Sequence, residues 1–280
     1  MIDIKLLEQL CLCNGISGDE GNVRNLIINE IKDCADDIKT DNLGNLIVFK
    51  KGKKSAKSKL MVSAHMDEVG LMVTDITSDG YLKFDEVGGI DRRVLPGKRV
   101  CVGRNGLNGV IGVKPIHLTN GDEKTAVPKM NDMYIDIGAE SREDALKYVN
   151  YGDSINFEGD FKINGKTVVT KALDDRFGCY VLINLIKSEP EYDMYFTFVV
   201  QEEVGLRGAR PAAFTVNPDF ALVIESTTAA DVAEVDASHQ VCNLSKGATV
   251  TVMDRATVYD KEMISTCLLY TSDAADDSLR

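Results

Sequence analysis

Positive charge, long apolar runs and paired cysteines are all scarce in this sequence. Lys and Arg number 32 against 44 Asp and Glu, so the 280 residues carry a formal net charge of −12. Without a basic surface that could displace counterions from phosphates, we expect no nucleic-acid partner. No apolar run approaches the roughly 20 residues that a membrane span needs, so we expect no membrane partner either.

The seven cysteines form an odd set in which only Cys11 and Cys13 lie close together. The first residues show no basic segment followed by an apolar stretch, so they do not resemble a signal peptide. Cysteines in a chain without an export signal are expected to remain reduced thiols. Hydrophobic residues make up 44% and charged residues 27%, as in ordinary globular proteins. We therefore expect a soluble cytoplasmic protein.

The order of the apolar patterns predicts an α/β fold that is interrupted by a β-rich insertion. Helical spacing is found in residues 2–13 and 19–34, and strands are predicted at 46–49 and 60–64. Glycines and short β-type runs then dominate residues 73–164, which indicates a small inserted domain. The α/β alternation returns with predicted elements at 167–170 (strand), 175–187 (helix), 194–200 (strand) and 220–224 (strand).

Acidic side chains and one histidine follow four of the predicted strands. In chain order they are His65 and Asp67, Asp174 and Asp175, Glu202 and Glu203, and Glu225. Sites in open α/β sheets form just outside the carboxyl ends of strands, so we expect these side chains to surround a common point. A cluster of carboxylates needs a dication or protons to offset its repulsion. Mixed His and carboxylate ligands suit zinc, cobalt or manganese better than calcium.

Each of these residues also has a structural interpretation. A single His after a strand is often a hydrogen-bonded core residue, and Glu202–Glu203 could be a plain polar loop. Asp174 and Asp175 could cap a helix and occupy its first turn. Asp67, however, is placed to accept the second ring N–H of His65, and adjacent acids can divide metal binding and proton transfer between them. Together the residues favour a metal site.

Three strings carry a resemblance to a known family: residues 64–70 (AHMDEVG), 172–178 (ALDDRFG) and 201–209 (QEEVGLRGA). They resemble the cytosolic dinuclear metallo-aminopeptidases of the glutamyl and TET (tetrahedral) type, some of which carry the name endoglucanase. The resemblance extends in order over about residues 1–260. Shorter matches lie at 17–20 (SGDE), 42–46 (NLGNL), 115–117 (PIH) and 225–231 (ESTTAAD).

The resemblance implies a role for each matching residue. It implies two divalent metal ions per subunit, with zinc or cobalt favoured, bound by His65, Asp174, Glu203 and Glu225. Asp174 would bridge the ions, Glu225 would complete the first site and Glu203 would belong to the second. Asp67 would orient His65, and Glu202 would be the general base that activates water.

The resemblance also implies an architecture and a reaction. Residues 1–72 and 165–265 would form a zinc-peptidase-like mixed sheet flanked by helices. Residues 73–164 would form an inserted small β-barrel, PDZ-like, that makes a dimer contact. Dimers would assemble into a hollow dodecamer, and the reaction would release N-terminal residues from short peptides.

The end of the chain departs from these patterns. Residues 266–280 continue none of the earlier periodicities and resemble a translated sequencing adapter, so we interpret them as a non-native tail, with a frayed natural terminus as the alternative. The natural protein would then continue beyond about Ser265 and supply a further second-site His. Of the other histidines, we expect His117 in core or interface packing and His239 in a loop without a ligand role.

Two further functions remain open on the sequence. The chain could be a truncated, catalytically impaired subunit of such an assembly. It could also be another dinuclear metal amidohydrolase, such as a deacylase or a carboxypeptidase-like enzyme. The number of zinc ions bound per chain tests the first of these functions. Comparing the cleavage of peptides with a free and a blocked N-terminus tests the second.

Overall fold

A five-stranded mixed sheet is the centre of the first of two compact units, Met1–Ser226 and Thr227–Arg280. The computed structural model describes residues 3–121 and 126–277, with the backbone alone for 270–277. The described helices are α1 (Ile4–Leu12), α2 (Gly21–Ile31), α3 (Arg142–Ala145), α4 (Leu173–Lys187), α5 (Ala209–Val216) and α6 (Lys261–Asp277). The described strands are β1 (Asp37–Thr40), β2 (Leu46–Lys50), β3 (Leu60–His65), β4 (Gly70–Ile76), β5 (Leu82–Val87), β6 (Arg99–Val102), β7 (Leu107–Val113), β8 (Met133–Asp136), β9 (Ser154–Phe157), β10 (Lys162–Asn164), β11 (Thr167–Val169), β12 (Met194–Val199) and β13 (Phe220–Val223).

The order of strands in the main sheet is β1-β2-β12-β3-β13. Strand β3 runs parallel to both of its neighbours, with His65 opposite Val199 of β12 and Ser63 opposite Val223 of β13. Strands β1 and β2 are antiparallel to their neighbours. The carboxyl ends of β3, β12 and β13 therefore meet at one edge of the sheet, where the predicted site residues follow.

Helices cover both faces of this sheet because successive strand residues point to opposite sides. One face packs with α1, α2 and α4 into a core whose apolar residues include Leu10, Val62 and Phe196, each at most 1% exposed. The other face places Ile47 and Met61 against Val216 of α5. Full burial of each such side chain contributes about 1.5–3 kcal/mol to folding.

The second core of this unit lies inside a closed barrel. Six strands pair antiparallel in the order β4-β5-β8-β7-β6-β9, and the barrel is filled by side chains such as Leu71, Ile111 and Ile155. The prediction of an α/β fold with a mixed sheet, flanking helices and an inserted small β-barrel is confirmed. The domain boundaries at residues 73 and 164 stay predictions.

One predicted strand does not join the main sheet. Strand β11 pairs with β10 in an isolated hairpin, closed by the two residues Gly165 and Lys166, with Gly165 at a φ of 62°. A two-residue turn with a residue at positive φ favours such a hairpin. The expectation that Asp174 follows a strand of the α/β sheet is therefore wrong, and Asp174 instead comes from the start of α4.

The second unit, Thr227–Arg280, contains the helix α6, whose first turn is held by Asp260 accepting the N–H groups of Glu262 and Met263. Of the tail predicted at 266–280, residues up to Asp277 lie in α6, and residues 278–280 lie outside the described part of the chain. Ile2, the predicted start of the first helix, also lies outside it. None of the helices in the described ranges combines the length and apolar character that a membrane crossing requires.

Candidate metal centre

Three of the four predicted metal ligands meet at the edge formed by the ends of β3 and β13. Ligand atoms of His65, Asp174 and Glu225 all lie within 4.8 Å of one another. His65 Nε2 is 3.0 Å from Asp174 Oδ1 and 3.5 Å from Glu225 Oε1. The histidine side chain is 2% exposed, whereas the two carboxylates reach solvent. A buried imidazole that faces open carboxylates can bind a cation from solution.

The parallel pairing of β3 and β13 explains why Glu225 and His65 are neighbours. Val223 is in register with Ser63, so Glu225, two residues later, comes level with His65. Asp174 reaches the same place from the first turn of α4, where its backbone departs from helical angles and Ala172 before it has a φ of 54°. The Asp174–Asp175 peptide bond is cis.

The helix-capping interpretation holds for Asp175 and not for Asp174. Asp175 Oδ1 accepts the N–H of Gly178, three residues on, as an N-cap carboxylate does. Its other oxygen accepts the backbone N–H of His65 at 3.2 Å. Asp175 is fully buried, and this burial raises the pKa of its carboxyl to about 8.

Asp67 lies against the other ring nitrogen of His65. His65 Nδ1 is 3.0 Å from the Asp67 carbonyl oxygen and 3.4 Å from its carboxylate Oδ1. A carbonyl oxygen can only accept, so this contact places a proton on Nδ1. In the neutral imidazole the lone pair is then on Nε2, which faces Asp174 and Glu225 and can bind a metal, because a partner on one ring nitrogen fixes the tautomer of a ligating histidine.

The two glutamates after β12 lie beside this group. Glu202 Oε2 is 4.0 Å from His65 Nε2. Within the described ranges, Glu203 is not part of the three-residue ligand group. The backbone N–H groups of both glutamates donate to the carboxylate of Asp67. The acid pair is thus tied to the same residue that contacts the histidine.

Burial and crowding of like charges disturb the protonation of these groups. Burial opposes protonation of His65, but hydrogen bonds to Asp174, Asp67 and Glu225 outweigh it and raise the pKa of the imidazole strongly. Burial, with the neighbouring charge of Asp174, raises the pKa of Glu203 to about 7. Burial also raises the pKa of Glu202. The carboxylates of this cluster repel one another when ionised. A dication would neutralise their charge, so the donor set fits a divalent metal.

Several residues that support the site had no role in the sequence analysis. Ser17 Oγ donates to Asp67 Oδ2 at 2.5 Å, and Glu20 accepts the backbone N–H of Gln201. The SGDE string was a weak family match only, and no local pattern could show which residues it would contact. Arg176, fully buried, donates to the backbone carbonyls of four residues, namely Leu10, Cys13, Gly15 and Met66.

The remaining histidines and the cysteine beside the site lie as follows. His117 is exposed in the short 3₁₀ turn Ile116–Leu118, so core packing of this residue is wrong, and interface packing stays a prediction. His239 is exposed in the second unit. Cys179 is fully buried, and its thiol donates to the carbonyl oxygen of His65.

The amino-acid sequence of the chain matches a known protein family and its members. The model of the M42 glutamyl aminopeptidase family matches residues 44–274. A protein of Acetivibrio thermocellus, provisionally named an aminopeptidase, is 45% identical over 260 residues, which cover 92% of this chain and 76% of that protein.

Solved structures are similar over nearly the whole chain. An aminopeptidase from Desulfurococcus kamchatkensis superposes with a TM-score of 0.91 at 32% identity, over 97% of this chain and 77% of that one. The TET1 peptidase of Pyrococcus horikoshii, which assembles into a tetrahedron or a large octahedral shell, gives a TM-score of 0.82 at 40% identity. That match covers 95% of this chain and 79% of the TET1 chain. The resemblance carried by the three sequence strings is confirmed.

Proposed function

The chain belongs to the M42 glutamyl aminopeptidase family, and from this membership we propose that it is a metal-dependent aminopeptidase that releases N-terminal residues from short peptides. The observation that carries the proposal is the convergence of His65, Asp174 and Glu225 within 4.8 Å. Their position at the carboxyl ends of parallel strands is where α/β enzymes place their chemistry.

We propose that two divalent ions, zinc or cobalt, bind here. His65 and Glu225 would hold the first ion, Asp174 would bridge the two, and Glu203 would hold the second. When bound, such ions polarise the scissile carbonyl as Lewis acids and help to orient the substrate. The contact of His65 Nδ1 with the Asp67 carbonyl favours the neutral tautomer in which Nε2 carries the lone pair for this role.

Glu202 is proposed as the general base. Its side chain is 27% exposed and its Oε2 lies 4.0 Å from His65 Nε2, so it borders the ligand group while remaining open to water. Burial raises the pKa of its carboxyl, and a carboxylate with a higher pKa is a stronger base. Oε2 would take a proton from the attacking water and return it to the departing amine.

Replacing Glu202 by Gln tests this assignment. General-base catalysis contributes about 10²–10⁴-fold, so E202Q should lose at least about 100-fold in kcat while its metal content equals that of the wild type. The matched control is E191Q, because Glu191 is exposed and pairs with Lys54. Wild-type turnover by E202Q would show that the base is another group.

Blocking the substrate amine tests the reaction class. The metal-loaded protein should cleave peptides with a free N-terminus and reject the same peptides after N-acetylation. Preferred cleavage of the acetyl group would indicate a deacylase, and no turnover of any peptide together with fewer than two bound metal equivalents would indicate an impaired subunit.

We also propose that the chain self-associates through the barrel, as dimers that assemble into a dodecamer. The relative from P. horikoshii forms closed shells. Large apolar side chains on the barrel segment, Val94, Val110, Ile116, Leu118 and Val127, are exposed in the single chain. Burial of such side chains between subunits would favour association. Light scattering after size-exclusion chromatography measures the assembly directly, and a monomer at all concentrations would contradict the proposal.

A further inference from the structure

Three successive backbone N–H groups of the loop after β12 donate to buried carboxylates. Glu202 N–H donates to Asp67 Oδ1 at 3.0 Å, and Glu203 N–H donates to Asp67 Oδ2 at 3.1 Å. Gln201 N–H donates to Glu20 Oε1 at 3.1 Å. Asp67 is 0% and Glu20 4% exposed, so water cannot replace either acceptor. The conformation of the acid pair therefore depends on two carboxylates from outside its own loop.

Gln201 adopts a backbone conformation that it would not hold unaided. Its φ is 55°, in the left-handed region that a residue with a long side chain rarely occupies. Such conformations persist when the surrounding structure imposes them. Two hydrogen bonds impose this backbone conformation. Gln201 N–H donates to Glu20, and the Gln201 carbonyl accepts the N–H of Arg207 at 3.1 Å.

Glu20 is itself held by the short turn formed by residues 17–20. Its Oε1 also accepts the N–H of Gly18 at 2.7 Å, and Gly18 has a φ of 88°, which glycine tolerates without strain. At the other end of this turn, Ser17 Oγ donates to Asp67 Oδ2. The 17–20 turn thus supplies one of the two carboxylates that hold the acid-pair loop and contacts the other.

We propose that Glu20 is a positioning residue for Glu202, acting through the backbone of Gln201. None of its hydrogen bonds in the described part of the chain goes to His65, Asp174 or Glu225, so it has no direct part in metal binding. Loss of its acceptor would free Gln201 to leave the left-handed region and would displace the Glu202 carboxylate. The inference rests on the proposed function, in which Glu202 is the base.

The kinetic test compares three variants of Glu20 in the metal-loaded protein. E20A removes the acceptor, and misplacement of a catalytic group by about 1 Å costs about 100-fold, so kcat should fall about 10- to 100-fold with KM within about twofold of the wild type. E20Q keeps an oxygen at the acceptor position and should restore kcat to within about threefold of the wild type. E20D keeps the charge but is one carbon shorter, and should resemble E20A.

The controls separate positioning from stability. E30A removes a glutamate from α2 whose side chain pairs with Lys187, away from the site, and should keep wild-type kcat. All kcat values are referred to folded, metal-loaded chain, measured by circular dichroism and metal analysis. Wild-type kcat in folded E20A overturns the proposal. If E20A does not fold, wild-type kcat in E20D overturns it.

Hydrogen exchange keeps this test independent of catalysis. In E20A the Gln201 amide should exchange at least about tenfold faster than in the wild type, because it has lost its buried acceptor, whereas amides in β3 should not change. An unchanged Gln201 amide overturns the proposal. Absence of peptide cleavage by the wild-type protein would instead overturn the proposed function and would leave the exchange result to decide the role of Glu20.

Discussion

Asp67 binds Glu202 through the backbone, with Asp67 Oδ1 accepting the Glu202 N–H at 3.0 Å. The same residue contacts His65 Nδ1 through its carbonyl and its carboxylate. One fully buried residue thus fixes both the histidine of the ligand group and the loop that carries the acid pair. Hydrogen bonds to the charged form also lower the pKa of Asp67 against the opposing effect of its burial, so it stays ionised in this environment.

Asp67→Asn should weaken the hold of this residue on His65 and on the acid-pair loop. The amide retains one acceptor but turns its NH₂ toward one of the donors, so a contact to His65, Ser17 or the acid-pair loop is lost. Loss of such outer partners typically lowers metal affinity about 10- to 100-fold. Calorimetric zinc titration measures this, with D75N as the control because Asp75 is exposed and pairs with Arg142. Equal zinc affinity in D67N and the wild type would contradict the orienting role.

Metal binding should release protons and strengthen as pH rises. Without metal, the raised pKa of His65 keeps its imidazole protonated near neutral pH, and Glu203, with a pKa of about 7, is about half protonated at pH 7. A metal requires the neutral imidazole and the ionised carboxylate, so binding displaces these protons. Affinity should therefore increase between about pH 6 and pH 8.

Calorimetry in two buffers of different ionisation enthalpy counts the released protons. The expected number is positive at pH 7 and smaller for E203Q, which has no proton to lose at this position. Affinity that is independent of pH, with no proton release, would show that the metal does not bind at these groups.

Arg176→Ala should destabilise the fold more than any exposed substitution. The guanidinium donates to four carbonyl groups, of which three are buried and that of Cys13 is half-buried, and lies 3.5 Å from Glu68, which is 4% exposed. Its removal takes a donor from each of these carbonyls, although Gly15 keeps the N–H of Glu68, and should cost about 3–5 kcal/mol in the free energy of unfolding. Urea unfolding measures the change. R92A, an exposed arginine paired with Glu86, should stay within about 0.5 kcal/mol of the wild type.

Native alkylation should spare two cysteines. Cys11 and Cys179 are fully buried, and burial raises the pKa of the Cys11 thiol to about 11 and that of Cys179 further. The thiolate is the reactive species, so neither should react with iodoacetamide at pH 8 until the protein is unfolded. Peptide mass spectrometry identifies the labelled residues, and rapid native labelling of Cys179 would contradict its burial against His65.

Local patterns predicted the elements that carry the site. The apolar run at 60–64 and the run at 194–200 became β3 and β12, because each is a buried strand that must be apolar on both faces. The patterns missed α5, whose Pro211 is tolerated in the first turn of a helix, where backbone N–H groups have no partner within the helix. They also missed β1, which is short and largely exposed.

Residue types alone predicted the chemistry, since a histidine and carboxylates after successive strands predict a metal site wherever those strands end together. Only the tertiary structure decided that β12, β3 and β13 are neighbours and that Asp174 enters from a helix. It alone showed that Glu20 holds Gln201, 181 residues away. Apolar periodicity is a local property that a sequence displays directly. The acceptor of a buried N–H depends on how distant segments pack, and no local pattern records that.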